Sequence, residues 1–194
     1  MTLIQLWAGL SAAFYAIALI LLGMLHVSDQ RNPVRIAVSD YANGPKSKQF
    51  IAYGVAGIIG ALALGAAVGM SGALPLATIY VALGVLRFGV LFWRTDANGE
   101  ARSHSGMIHL VFAIITFTLA YEAVSIGAPF ALANSPPSWA GFWETLEWVV
   151  PISLGAVVAT LIVPQLRSVF GLAERIFLIA TLIWNGALAL ALAS

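Results

Sequence analysis

No cysteine occurs among the 194 residues. That absence excludes a disulfide framework, thiol catalysis, zinc–thiolate sites and iron–sulfur clusters. Charge is nearly as scarce. Asp, Glu, Lys and Arg make up 9% of the chain, against about 25% in a soluble domain. So few charges cannot cover a water-facing surface, so lipid is the expected solvent for most of the chain. The formal net charge of +1 removes the case for nucleic acid as a partner. A basic n-region is also missing ahead of the apolar run Leu3–Leu25. That run exceeds a signal core of roughly 7–15 residues and reads as a retained first helix.

Hydrophobic residues make up 61% of the chain, and they fall into six runs. A spanning helix needs roughly 20 mostly apolar residues. The runs predict helices over approximately Leu3–Leu25, Phe50–Met70, Leu74–Trp93, Gly106–Ile126, Phe142–Val163 and Leu172–Leu192. The expected fold class is all-α: one domain over residues 1–194, a single bundle of six transmembrane helices. Buried helices of a soluble protein are the poorer reading, because a surface helix needs a polar face. Loop 4–5 is expected over Gly127–Gly141, which contains Pro129, Pro136 and Pro137. Pro75 suits a helix start, whereas Pro151 is a candidate kink in helix 5.

The nine cations are Arg31, Arg35, Lys46, Lys48, Arg87, Arg94, Arg102, Arg167 and Arg175. All lie in or beside loops 1–2, 3–4 and 5–6. With six spans these loops share one face, and the positive-inside rule makes it cytoplasmic. Both termini are then expected on the non-cytoplasmic side of a cell (inner) membrane. Trp139, Phe142, Trp143 and Trp148 suit an aromatic belt where loop 4–5 re-enters the bilayer. Glu144 and Glu147 suit the first turns of helix 5, where the helix dipole favours carboxylates. In helix 2, Gly57, Ala61, Gly65 and Gly69 recur every four residues. They make a smooth ridge, read as packing inside the bundle in preference to a dimer face.

Ionisable residues gather toward the cytoplasmic end. His26, Asp29, Ser39, Asp40 and Tyr41 lie between helices 1 and 2; Asp96, Glu100 and His104 lie in the 3–4 connection; His109 opens helix 4. Arg87 lies roughly 9 Å inside helix 3 at 1.5 Å per residue. A charge at that depth snorkels, pairs, or faces the bundle interior. The pairing partners are Asp40 and Asp96. So placed, Arg87 either locks two loops together or offers a guanidinium to a lipid phosphate, with Ser39 beside it. His104 and His109 stand five apart, roughly 140° around a helix. A shared metal site, with Asp96 as a third ligand, therefore requires His104 to precede the helix proper. Ser103 and Ser105 otherwise serve to cap helix 4. Thr95–Glu100 lacks the frame of a calcium loop. The bilayer midplane carries almost no ionisable group, which argues against an ion-coupled transporter.

Three segments resemble the domain-of-unknown-function 998 family: Ser39-Asp40-Tyr41, Phe92-Trp93-Arg94-Thr95-Asp96, and Gly106-x-x-His109. The resemblance runs from helix 1 through helix 6, with Trp93-Arg94 in place of the family's Phe-Pro. It implies a six-helix prokaryotic membrane protein and singles out Ser39, Asp40, Asp96 and His109. It implies no activity.

Three functions stay open. The first is non-enzymatic: binding membrane lipids, sensing, or supporting a protein partner in the membrane. The second is a membrane-embedded lipid hydrolase or transferase with a cytoplasmic-side site. There Asp40, Asp96 and His109 hold a metal or act as acid and base, while Arg87 binds phosphate. The third is a carrier of haem, ligated by His26 and His109, or of another cofactor. The cofactor, if any, is not specified by the sequence.

The topology is directly testable because the chain has no native thiol. Single cysteines at Lys48 and Gly72 are expected to react with an impermeant maleimide from opposite sides of sealed vesicles. Labelling of both from one side contradicts six alternating spans.

Overall fold

The computed structural model describes residues 1–27, 31–96 and 103–194. Asp29, Glu100, Arg102 and the rest of the Asp96–Glu100 turn after Asp96 itself lie outside the described residues. Six long helices dominate: α1 (Leu3–His26), α2 (Ser47–Met70), α3 (Leu74–Phe92), α4 (His104–Ala133), α5 (Ala140–Ile162) and α6 (Phe170–Ala193). Each is long and apolar enough to cross a membrane, and no strand occurs among the described residues. The all-α expectation holds, and the chain is a polytopic membrane protein. Hydrocarbon offers no partner for a free backbone amide, so helices, which satisfy the backbone internally, are the natural outcome.

Neighbours in sequence are neighbours in space. Each helix packs on the next, and α1 packs back against α6. The ring brings the 1–2, 3–4 and 5–6 connections to one face, hereafter the charged face. α2 and α6 are the most deeply buried helices. The small-residue ridge of α2 serves this burial: Cβ atoms built on Gly65 and Gly69 would press on Ala77 and its neighbours in α3. The ridge is therefore internal packing.

Local chemistry sets most helix ends. Thr2 and Gln5 form a reciprocal capping box at the start of α1. The other end of α1 is capped by Lys46, whose ammonium donates to the carbonyls of Met24 and Leu25 at 3.0 Å each and to that of Val27. A cation there also opposes the negative end of the helix dipole. Pro75 occupies the first turn of α3, where its missing amide leaves no bond unmade.

Two expectations need correction. α4 does not end at Ile126 but continues to Ala133 with Pro129 inside it. The expected long loop 4–5 shrinks to Asn134–Trp139. Proline forfeits one helical hydrogen bond, but Ala128 and Ala131 on either side of it are fully packed. Asn134 and Ser135 then close the helix, donating from their side chains to Phe130 and Ala131 carbonyls at 2.8 and 2.7 Å. The second correction concerns Trp143. It is fully buried, its indole N–H donates to Ser135 at 2.8 Å, and its ring stands edge-on to Trp184 with centroids 4.8 Å apart. It is a core residue, whereas Trp148 faces outward.

Close contact makes some glycines irreplaceable. A Cβ on Gly89 would overlap the Phe112 ring of α4, whereas one on Gly23 would meet nothing within 4 Å. We expect Gly89→Val to destabilise the bundle by roughly 1–3 kcal/mol through overpacking. Gly23→Ala, by contrast, is expected to hold or raise the thermal midpoint. Midpoints from thermal unfolding in a fixed detergent check both; equal midpoints for G89V and the parent chain contradict the packing.

Candidate functional site

Four polar side chains point inward just below the charged face. Tyr53 lies six residues into α2, His109 five into α4, Glu174 four into α6, and Arg87 five before the end of α3. At 1.5 Å per residue all four sit roughly 6–9 Å along their helices. They therefore form one layer. They also line one cavity of about 210 Å³, with walls from α2 to α6 and a roof formed by Ala37, Val38 and Ser39. Below this layer the wall is mostly apolar, built from Leu83, Phe117, Leu154, Val157, Phe177 and Leu178 with Thr116, Thr118 and Thr181 among them.

Arg87 turns into the bundle. Its Nη2 donates to the Tyr53 hydroxyl at 2.9 Å, and its guanidinium lies 5.2 Å from the centre of the Tyr53 ring. Gly57 makes this possible, since a Cβ there would stand 3.2 Å from the guanidinium carbon. A single hydroxyl uses one of the five guanidinium donors.

The roof is strapped to α6. Glu174 accepts from the Val38 amide at 2.6 Å, and Arg175 donates to the Ile36 carbonyl at 2.7 Å. The Leu172 amide, free at the helix start, donates to Val34 at 3.0 Å. Gly171 lies so close beneath the roof that any Cβ would overlap the carbonyls of Pro33 and Ile36. Arg175 also donates from Nε to His26 Nε2 at 2.5 Å, which ties α6 to the end of α1.

Ser39 lines the cavity. Asp40 is buried in the 3-10 turn Val38–Asn43 and stands within electrostatic range of both His109 and Glu174, but it does not line the cavity. Asp96 supports the start of α4: its carboxylate accepts from the Ser103 amide at 2.8 Å and from the Ser103 hydroxyl at 2.7 Å. Ser103 in turn caps the helix by accepting from the Gly106 amide at 3.0 Å. Arg87 meets Tyr53 rather than either aspartate named as a pairing partner.

The histidines diverge. His104 is exposed and belongs to the helix itself, whereas His109 is buried. His109 Nδ1 lies 2.8 Å from the Trp93 carbonyl. A carbonyl only accepts, so Nδ1 carries the proton and Nε2 keeps a lone pair in the neutral ring. Among the described residues no group of three or more His, Asp or Glu side chains is placed to hold a metal. The His104–His109–Asp96 set therefore does not assemble there. Of the haem pair, His109 lines the cavity and His26 does not. The His26 lone pair at Nε2 is committed to the Arg175 guanidinium.

Sequence reasoning overlooked Glu174 and Tyr53 and treated Arg175 as an interfacial cation. A signal for the first was available: Ala173-Glu174-Arg175 interrupts an otherwise apolar helix start. Nothing in the sequence distinguished Tyr53 from any other aromatic residue of a spanning helix.

A family described as "Protein of unknown function (DUF998)" matches residues 10–191. No curated protein and no solved structure matches the chain.

If Arg175 holds the roof, its loss must loosen residues 33–38. In Arg175→Leu we expect faster amide hydrogen exchange across that segment, with helix content unchanged by circular dichroism. Unaltered exchange there would show the strap to be dispensable.

Proposed function

Because the chain belongs to the DUF998 family, whose description assigns no activity, we propose its role from the cavity: non-enzymatic binding of a membrane lipid. One observation carries this reading. The cavity is lined in part by outward-exposed residues of two spanning helices, and Arg87 lines it as well. Ile114 and Thr118 of α4 and Val158 and Leu161 of α5 line the cavity and are exposed on the outer surface of the bundle. The mouth thus lies between two spanning helices, at the depth of the hydrocarbon. A headgroup passing inward through that slot meets Arg87, and its acyl chain stays against apolar walls or in the bilayer. Guanidinium binds phosphate or carboxylate through parallel hydrogen bonds. At about 210 Å³ the cavity is smaller than the roughly 300–1,000 Å³ of typical ligand pockets. It suits a headgroup with the start of one chain.

The orientation is part of the proposal. With the cations gathered on the charged face, that face is cytoplasmic, the termini are non-cytoplasmic, and the lipid comes from the inner leaflet of the cell membrane. Sensing, or support of a protein partner in the membrane, would follow from occupancy. Hydrolysis is a second reading. His109 favours it, because it lines the cavity and a ring protonated at Nδ1 keeps Nε2 as the basic nitrogen, but Asp96, named with it for that chemistry, is engaged at the helix cap.

Native mass spectrometry of protein extracted in lipid nanodiscs tests the reading. The parent chain is expected to retain a lipid through delipidation. Leu154→Trp fills the cavity from α5 and is expected to lose it, as is Arg87→Gln. Retention undiminished in both variants contradicts the assignment.

A further inference from the structure

Arg87 brings a guanidinium and Glu174 a carboxyl group to the same cavity, each anchored to something else. Arg87 is held by the Tyr53 hydroxyl at 2.9 Å, and Glu174 by the Val38 amide at 2.6 Å. Tyr53 lies within electrostatic range of both, and among the described residues the two side chains make no hydrogen bond to each other. Arg87 comes from α3 and Glu174 from α6, and each is fixed by its own anchor. The cavity therefore presents a donor fork on one wall and acceptors on another. His109 adds to the acceptor side, because its Nδ1 is given to Trp93 and its Nε2 lone pair remains. Glu174, using Oε2 for Val38, has its second oxygen for the cavity.

A ligand with one charge satisfies only half of this arrangement. A ligand with an anion and an N–H-bearing cation a short spacer apart satisfies all of it. We propose that the cavity selects zwitterionic lipids whose headgroup joins a phosphate to a primary ammonium, the aminophospholipid class. In this arrangement the phosphate lies on Arg87 and the ammonium donates to Glu174 and His109. A quaternary ammonium has no N–H to give, and a polyol headgroup brings no cation. The source is lipid rather than a soluble zwitterion, because Ile114 and Thr118 of α4 and Val158 and Leu161 of α5 line the cavity and are exposed on the outer surface of the bundle. This inference rests on the lipid-binding reading above and adds the headgroup chemistry.

The test uses the full chain in nanodiscs, with retention read by native mass spectrometry. The probes are phosphatidylethanolamine, its mono- and dimethyl derivatives, phosphatidylcholine and phosphatidylglycerol, all with matched chains. Phosphatidylethanolamine is expected to be retained about tenfold better than phosphatidylglycerol or phosphatidylcholine, the scale of a hydrogen bond to a charged group. Along the methyl series, retention is expected to fall most sharply when the last N–H is lost. Glu174→Gln is expected to bring the ethanolamine-to-glycerol ratio close to one without abolishing binding. The methylation series uses the parent chain alone, so it decides the question even if E174Q fails to fold. Equal retention of all headgroups, or a ratio unchanged in folded E174Q, overturns the headgroup inference and leaves lipid binding standing. No retention of any lipid by the parent chain removes the lipid reading itself. Displacement by free phosphoethanolamine at the concentrations at which the lipid binds overturns the lipid source.

Discussion

The Arg87 guanidinium, turned onto the Tyr53 hydroxyl and ring, constrains everything around it. A guanidinium carried this far into a spanning helix must find polar company or reach water. Arg87 finds it in α2, where Gly57 leaves room for the head. That choice holds α2 and α3 in register on the charged side and keeps the guanidinium at the cavity wall. The remainder of the polar layer is arranged around a fixed positive charge: a carboxylate on α6, an oriented imidazole on α4, and a roof contributed by the segment after α1.

The roof depends on the first turns of α6. Two adjacent residues of opposite charge divide the work. Glu174 takes an amide from the roof and Arg175 gives to one of its carbonyls, while Gly171 permits the backbone to lie against the helix. In hydrocarbon or beneath a lid, such backbone groups are expensive to leave unpaired. The pairing therefore stabilises the roof as a structural element. Outward-exposed residues of α4 and α5 also line the cavity, which is the physical basis for the proposal that the ligand is a lipid.

The spans were legible because hydropathy and length act locally. The predicted ends fall within about three residues of the observed ones, except at the end of helix 4. Pro129 failed as a stop signal there because close packing of Ala128 and Ala131 outweighs one lost hydrogen bond. The internal role of the Gly57–Gly69 ridge was legible for the same reason, since small residues at one spacing on one helix announce close approach. Among the candidate site residues, Arg87, His109 and Ser39 do meet at the cavity. Asp96 belongs to a helix cap and His104 to the surface. The spacing of Asp96 from Ser103 could not reveal the cap, because it is formed across a loop and not along a helix.

Composition and pattern alone determined that the chain is helical and that six of its segments are long and apolar enough to cross a membrane. Each of these follows from the free energy of moving a single segment out of water, a quantity additive along the chain. The tertiary structure decided which polar groups meet. Arg87 reaches Tyr53 rather than an aspartate, Glu174 reaches a roof more than a hundred residues away in sequence, and His26 is taken by Arg175. Those pairings depend on the rotation of each helix about its own axis and on the gaps that glycines leave. Rotation is set by packing against neighbours, so no single segment carries that information.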